Sequence, residues 1–287
     1  MKSAVSVLGP RTRLLIDLAL DEDAARHDVT SRAIFPRNHR STAIIDAKQD
    51  LVICGLEIAA AVFRRLDPRL RAVPLMREGA RVRKGAAVLR VTGPTASLLA
   101  AERTALNFLQ RLSGIATQAA RHAAAVRGTG VTVVDTRKTT PGWRWLEKYA
   151  VRTGGGRNHR ASLRDLVLIK DNHIAAAGSI AAAVRRCRAA ATRGLKVEVE
   201  AKTLAEVRAA VAAGADIILL DNMTPARIRV AVKLIAGRAL VEVSGGVRYE
   251  NLRRFALPGV DLISIGALTH SVPAADLSLD VRPIRKR

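Results

Sequence analysis

The sequence predicts an α/β fold, an α/β barrel preceded by an α+β segment, on three observations. After Gly130, short apolar runs end at Val134, Ile169, Val199, Leu220, Val243 and Ile265. A polar residue or glycine follows each run: Asp135, Lys170, Glu200, Asp221, Ser244 and Gly266. Helical patterns separate the later runs, at 204–213, 225–235 and 250–257. At these spacings the strands cannot lie antiparallel, so right-handed βαβ units and a parallel sheet follow. Functional-looking residues at nearly every strand end favour a barrel, which converges them on one mouth. An open doubly wound sheet would gather them at a single switch point.

The elements before the barrel are read in order. Residues 11–25 form a helix carrying Leu14, Leu15 and Leu18, and Asp28-Val29-Thr30-Ser31 supplies cap and turn chemistry. Between 41 and 91 the pattern is strands at 42–47 and 51–54, a helix at 56–66 ended by Asp67-Pro68, and short strands punctuated by Gly79, Gly85 and Gly93. Residues 97–127 form an alanine-rich helical stretch with Leu98, Leu99, Ala105, Leu106, Leu109 and Leu112 at helical spacing and Ser113-Gly114 interrupting it. Within it, Glu102 and Arg103 read on their own as a surface ion pair.

Composition excludes several classes. No apolar run among the 287 residues approaches the roughly 20 needed to span a bilayer. The N-terminal MKSAVSVLGPRTRLL lacks the apolar core and small-residue cleavage site of a signal peptide, so a cytoplasmic protein is expected. Cys54 and Cys187, far apart, offer neither a disulfide framework nor a metal-ligand spacing, and both are expected to be buried. The net charge of +23 suggests nucleic acid as a partner. Against that, aromatics are only 3%, stacking platforms and binding motifs are missing, and the arginines are scattered. Arg185, Arg186, Arg188, Arg193, Arg227 and Arg229 read as solvated helix faces.

Chemistry concentrates between Asp135 and His173, where Arg137, Lys138, Arg144, Lys148, Arg152, Arg157, His159, Arg160, Arg164 and Lys170 surround Gly154-Gly155-Gly156. The cations begin just after the apolar runs at 131–134 and 166–169 end, which points to an anion site at strand tips. Arginine forks grip carboxylate or phosphate in two places, and lysine and histidine supply point charges. His159 alone is a weak signal and gains weight from Asn158 and Arg160 beside it. Glu200 and Asp221 end consecutive strands. They can serve as ion-pair partners, as oxygen ligands of magnesium, or as stabilisers of a cationic transition state. Ser244-Gly245-Gly246, with a helix from about Tyr249, and Gly266-Ala267 leave backbone amides open at the last two strand ends, the usual barrel phosphate site. No nucleophile has a convincing base. Electrostatic stabilisation of a charge-separating displacement therefore fits better than covalent catalysis.

Taken together, DTRKTTPGWRWLEKYAVRTGGGRNHR, LIKDNHI, VEVEAKTL, GADIILLDNM, VEVSGGV and VDLISIGALTHS, with AERTALNFLQRLSGIAT and DVTS, resemble the motifs of nicotinate-nucleotide pyrophosphorylase (carboxylating), or quinolinate phosphoribosyltransferase. The resemblance covers essentially the whole chain. It implies transfer of a phosphoribosyl group from phosphoribosyl pyrophosphate to quinolinate with magnesium, giving nicotinate mononucleotide, pyrophosphate and carbon dioxide. It also implies an incomplete, open α/β barrel over about 114–270 and an N-terminal α/β sandwich domain over 1–113, to which a tail from about 271 to 287 returns. Assembly as a homodimer or larger is expected.

By position in those motifs, Arg137, His159, Arg160 and Lys170 would hold the two carboxylates of quinolinate, and Lys138 would face phosphoribosyl pyrophosphate. Glu200 and Asp221 would sit by ribose and metal, and Ser244, Gly245, Gly246 and Gly266 would hold the 5-phosphate. Arg103 would enter the neighbouring subunit's site, which replaces the surface-pair reading. Departures from the family pattern are Arg157, Trp143, Trp145 and His27, with Trp143 placed to narrow the pocket. The runner-up is a paralogous phosphoribosyltransferase, molybdenum-linked or acting on nicotinate. The full Arg137, Arg160 and Lys170 set argues against a substrate with one carboxylate fewer.

Overall fold

The structure, a computed structural model, describes residues 7–190 and 194–283. Arg193 and the last four residues of the tail lie outside the described residues. Two compact units emerge. The first runs through Gln118 and includes Pro141–Gly154 and the chain from Val272 onward; the second comprises Ala119–Thr140 and Gly155–Ser271.

Among the described residues the first element is α1 (Pro10–Glu22), which buries Thr12, Ile16 and Leu20 at a spacing of four. Leu14 and Leu18, on the other face, stay more than half exposed, so the leucine stripe read from the sequence is not the packing stripe. Asp28 caps α2 (Val29–Ile34), accepting from the Thr30 and Ser31 amides. There follow β1 (Arg40–Ala47), β2 (Leu51–Val52), α3 (Leu56–Leu66), β3 (Arg71–Pro74), β4 (Arg81–Val82) and β5 (Ala87–Pro94). β1 pairs antiparallel with β5, and β5 with β3, while β2 and β4 form a separate ribbon.

The next helix, α4 (Thr95–Ala125), passes through Ser113-Gly114 without a break. The glycine serves packing instead. A side chain at Gly114 would overlap the Pro273 carbonyl and lie 3.2 Å from the Ala275 amide nitrogen. Close approach of the returning chain thus demands glycine where helix propensity disfavours it. Ser113 also works inward, its Oγ accepting from the Cys54 amide at 3.0 Å.

The second unit takes in the end of α4 and β6 (Thr132–Val134), and α5 (Arg144–Thr153) belongs to the first. The rest alternates: β7 (Val167–Ile169), α6 (Asp171–Ala177), α7 (Ile180–Ala190), β8 (Val197–Ala201), α8 (Leu204–Ala212), β9 (Ile217–Asp221), α9 (Pro225–Ile235), β10 (Leu240–Ser244), α10 (Leu252–Phe255), β11 (Leu262–Ser264) and α11 (Ala267–His270). All these strands are parallel, in the order β6-β11-β10-β9-β8-β7. β6 and β7 end the sheet without pairing to each other, so the α/β barrel is open, as the resemblance implied. Arg157 bridges β6 on its outer edge at Val134. β12 (Leu277–Pro283) then returns to pair antiparallel with β1, completing the sheet of the first unit.

Among the described residues no helix is long and apolar enough to cross a membrane. Cys54 is fully buried, and Cys187 is only half-buried, on α7 rather than in the core. Arg188 does more than face solvent: it donates to the Gly214 carbonyl and to Asp216, each at 2.8 Å.

Candidate functional site

The cationic run divides between the units. Arg144, Lys148 and Arg152 lie on α5, where Lys148 is buried and Arg152 stands over the Trp145 ring at 5.9 Å. Trp143 stacks on Phe108 in the first unit, centroids 4.8 Å apart, so its bulk is used in packing. Arg137, Lys138, His159, Arg160 and Lys170 remain with the parallel strands. Arg103 belongs to the first unit, exposed on α4. Among the described residues no ion pair joins it to Glu102, whose half-burial raises the Glu102 carboxyl pKa despite the arginine beside it.

Strand register arranges the acids. Glu200 lies level with Leu219, and Leu219 with Glu242, on adjacent parallel strands; Asp221 lies level with Ser244. Side chains two apart on a strand share a face, so Glu198, Glu200, Leu219, Asp221, Glu242 and Ser244 project to one side of the sheet. Glu200 and Asp221 occupy the tips of β8 and β9, Ser244 that of β10, and Lys170 follows β7 at once. Lys170 Nζ reaches Glu200 at 3.4 Å, with the lysine half exposed and the glutamate mostly covered. The Asn222 carboxamide donates to Asp221 at 2.9 Å.

One layer below, Glu198 and Glu242 are fully buried. His159 Nε2 stands 3.1 Å from a Glu198 oxygen and 3.3 Å from a Glu242 oxygen. The other ring nitrogen, Nδ1, accepts the Arg160 amide at 2.8 Å. Burial opposes an added proton on this ring, but the hydrogen bonds to Glu198 and Glu242 outweigh it and raise its pKa. Burial likewise raises Glu198, against the pull of His159 and with the repulsion of Glu242. Nδ1 accepts an N–H and so has no room for the added proton; the acid side of the contact, where Glu198 is raised, holds it, and the ring stays neutral with its own proton on Nε2 facing the carboxylates.

Asp135 fixes the segment carrying these groups. Fully buried at the end of β6, it accepts from Asn158 Nδ2 at 2.5 Å and from the His159 amide at 2.9 Å. The Arg160 guanidinium donates to the Leu166 carbonyl at 3.3 Å. Burial and the nearby Arg137 lower the Arg160 pKa, with Glu198 countering.

The small-residue tips are shaped by close approach. Gly245 has φ +90° and Gly246 φ +64°, and a side chain at Gly245 would overlap the Asn222 carboxamide. Asn222 itself holds φ 54°, its amide donating to the Ser244 carbonyl at 2.9 Å. No full helix follows: residues 248–251 turn, and α10 spans only four residues from Leu252. The amides of the loop, rather than a helix dipole, are what this tip offers. Gly266 is pressed by its neighbours, a Cβ there lying 3.0 Å from His270 Nε2 and 3.1 Å from Lys138 Cδ. Thr269 Oγ1 donates to the Lys138 carbonyl at 2.7 Å, which ties the β6 tip to that of β11.

Glu198, Glu242, Asn222 and His270 were missed in the sequence, and Asp135 was read only as a polar strand end, without its role as an anchor. The alternation in VEVEA and VEVS was the available signal for the two buried glutamates, since each lies two residues before a strand-tip group.

Residues 115–280 match the quinolinate phosphoribosyl transferase C-terminal domain, and residues 28–113 match the N-terminal domain of the same family. The chain belongs to the quinolinate phosphoribosyltransferase family. A Bacillus subtilis (strain 168) relative named probable nicotinate-nucleotide pyrophosphorylase (carboxylating) is 44% identical over 260 residues, 91% of this chain and 90% of that one. A Mycobacterium leprae (strain TN) nicotinate-nucleotide pyrophosphorylase (carboxylating) is 42% identical, covering 88% of this chain and 91% of its own. The crystal structure of NadC from Streptococcus pyogenes superposes with a TM-score of 0.93 at 40% identity, over 98% of this chain and 100% of that one. The strand-tip geometry described above is thus that of a quinolinate phosphoribosyltransferase family member.

Proposed function

We propose that this member of the family transfers the phosphoribosyl group of phosphoribosyl pyrophosphate to the ring nitrogen of quinolinate. The products are nicotinate mononucleotide, pyrophosphate and carbon dioxide, a step of NAD biosynthesis. One observation carries the reading to these residues. Lys170, the acids Glu200 and Asp221, and the Ser244-Gly245-Gly246 loop stand at the C-terminal ends of one parallel sheet; Arg137 comes after β6, and Arg160 comes after the segment that bridges β6 at Arg157. That is where a barrel gathers its chemistry.

In this reading Arg137, Arg160 and Lys170 take the two carboxylates, and His159 lies beneath them. None of them has cause to protonate the ring nitrogen, which keeps its lone pair. Ser244, Gly245, Gly246 and Gly266 hold the 5-phosphate, and Lys138 faces the pyrophosphate. As the bond from ribose C1 to pyrophosphate breaks, its electron pair leaves with pyrophosphate. Positive charge gathers on the ribose, where Glu200 and Asp221 stabilise it. The ring nitrogen then bonds to C1 and becomes positive. It stabilises the electron pair left at the adjacent carbon when that carboxylate departs as carbon dioxide, and a proton replaces the carboxylate.

Magnesium fits this donor set. Glu200 and Asp221 present carboxylate oxygens at adjacent strand tips, and a hard cation held by one or two carboxylates completes its shell with water and substrate oxygens. Bound there, it would neutralise charge on the leaving pyrophosphate. A homodimer in which Arg103, exposed on α4, is donated across the interface completes the site. The cytoplasm, reducing and in keeping with free Cys54 and Cys187, is the expected compartment.

Incubating the protein with quinolinate, phosphoribosyl pyrophosphate and magnesium, and following nicotinate mononucleotide, tests the proposal. Formation of labelled carbon dioxide in step with the nucleotide is the expected result. Turnover of nicotinate with no reaction of quinolinate would overturn it.

A further inference from the structure

Two fully buried acids under the mouth, Glu198 and Glu242, have no part in the steps above, and both face His159, which is mostly covered. Buried carboxylates are costly unless something holds them. Beyond the approach of His159 Nε2, 3.1 Å from Glu198 and 3.3 Å from Glu242, their oxygens have no hydrogen-bond partner among the described residues.

Their ligand atoms lie within 4.8 Å of one another, a spacing that also suits a metal ion. The tautomer argues otherwise. Nδ1 accepts the Arg160 amide, so the proton of the neutral ring sits on Nε2, the atom that faces both acids. A histidine bound to metal through Nε2 would instead carry its proton on Nδ1 and donate it outward. The same geometry argues against a direct hydrogen bond from His159 to substrate, because both ring nitrogens already serve the protein.

What the ring does is join two layers. Below, it is held by acids from β8 and β10. Above, it receives the amide of Arg160, while its own amide is tied to Asp135 at 2.9 Å. We propose that Glu198 and Glu242 are positioning residues for quinolinate: they grip the Nε2–H of His159, which locks the 159–160 backbone and aims Arg160 at the mouth. The inference rests on the reading of Arg160 as a carboxylate-binding group and assigns His159 the part of a strut.

The test uses the full-length protein with Glu242→Ala, Glu242→Gln, His159→Ala and the double alanine variant. Glu242 is chosen because Glu198 shares its strand with Glu200. Each single alanine variant is expected to raise the KM for quinolinate about tenfold, in line with a lost buried hydrogen bond. The KM for phosphoribosyl pyrophosphate should stay within about twofold, since the strut does not reach that group. Glu242→Gln keeps a carbonyl that accepts from Nε2–H and should recover most of the loss. The double variant should cost no more than the worse single one, because both break the same contact. Full additivity, or a parallel rise in both KM values, would overturn the proposal. So would one equivalent of transition metal in the purified protein that Glu242→Ala loses. Nitrogen NMR of His159 gives a readout independent of turnover: a bare Nδ1 with protonated Nε2 supports the strut, and a protonated Nδ1 refutes it. An unaltered protein that ignores quinolinate would refute the functional reading, and the NMR result would still judge the strut.

Discussion

Replacing Gly245 with alanine probes the strand-tip loop at its tightest point. The residue sits at φ +90°, where an L side chain costs roughly 1–2 kcal/mol. The added Cβ would also overlap the Asn222 carboxamide, 2.5 Å from Cγ and 2.9 Å from the backbone nitrogen. Overpacking of this kind costs about 1–3 kcal/mol. The combined loss, about 2–5 kcal/mol, corresponds to a fall in melting temperature on the order of 3–8 °C for a chain of this size. The clash falls on the residue whose side chain orients Asp221 and whose amide binds the Ser244 carbonyl. The KM for phosphoribosyl pyrophosphate is therefore expected to rise about tenfold or more, as for loss of a charge-assisted hydrogen bond. Calorimetry and steady-state kinetics with that substrate varied read both effects. Asn222→Gly removes the obstructing carboxamide and tolerates φ 54°, so adding it to Gly245→Ala should restore about half of the lost melting temperature. A Gly245→Ala protein that melts with the parent and binds phosphoribosyl pyrophosphate equally well would refute the reasoning.

Arg137→Ala should abolish turnover of quinolinate, by roughly a hundredfold or more, while circular dichroism and melting remain those of the parent; near-normal activity would remove Arg137 from the site. Mixing Arg103→Ala subunits with Lys170→Ala subunits should restore part of the activity through one intact composite site, and no restoration despite proven subunit exchange would count against donation of Arg103. The Arg69 guanidinium beside Asp67, with Ser97 and the Arg69 amide, holds the Asp67 carboxyl well below its ordinary range. A carboxyl depressed by folding stabilises above its unfolded pKa of about 3.9 and loses that contribution as pH falls toward the folded value. Asp67→Asn should therefore melt below the parent at pH 7, with the gap closing under about pH 4; a gap unchanged down to pH 3 would sink the assignment.

The sequence exposed most of the architecture of the second unit because every strand there is short, apolar and followed by a residue of another kind. Both ends of α9 (225 and 235) came out as read, fixed by Thr224 as cap and Pro225 in the first turn. Where residue type has two meanings, the reading failed. Gly114 looked like a helix break, and only the Pro273 carbonyl, more than a hundred residues away in the chain, explains why it is glycine. The helix expected from Tyr249 shrank to the four residues of α10, since Asn251 spends its side chain on the Arg248 amide and the Gly246 carbonyl, closing a turn instead.

For the site, local order mattered less than strand register. A run of basic residues cannot reveal that Lys148 is buried on α5 with the first unit while Lys170, 22 positions on, stands at a strand tip. The glutamates show the same effect more sharply. In VEVEA the second acid drew notice because it ends the strand, yet the first shares its face and lies two residues, about 6.6 Å, deeper. The same offset separates Glu242 from Ser244 on β10. An acid that alternates with valine on a strand buried on both faces has no water to turn to, so its presence already implies a partner inside the barrel. Here the partner is His159, carried in by the Asp135-anchored segment. A neutral, apolar side chain at 198 or 242 would pack the interior at less cost, and would leave that histidine, and the arginine after it, without a floor.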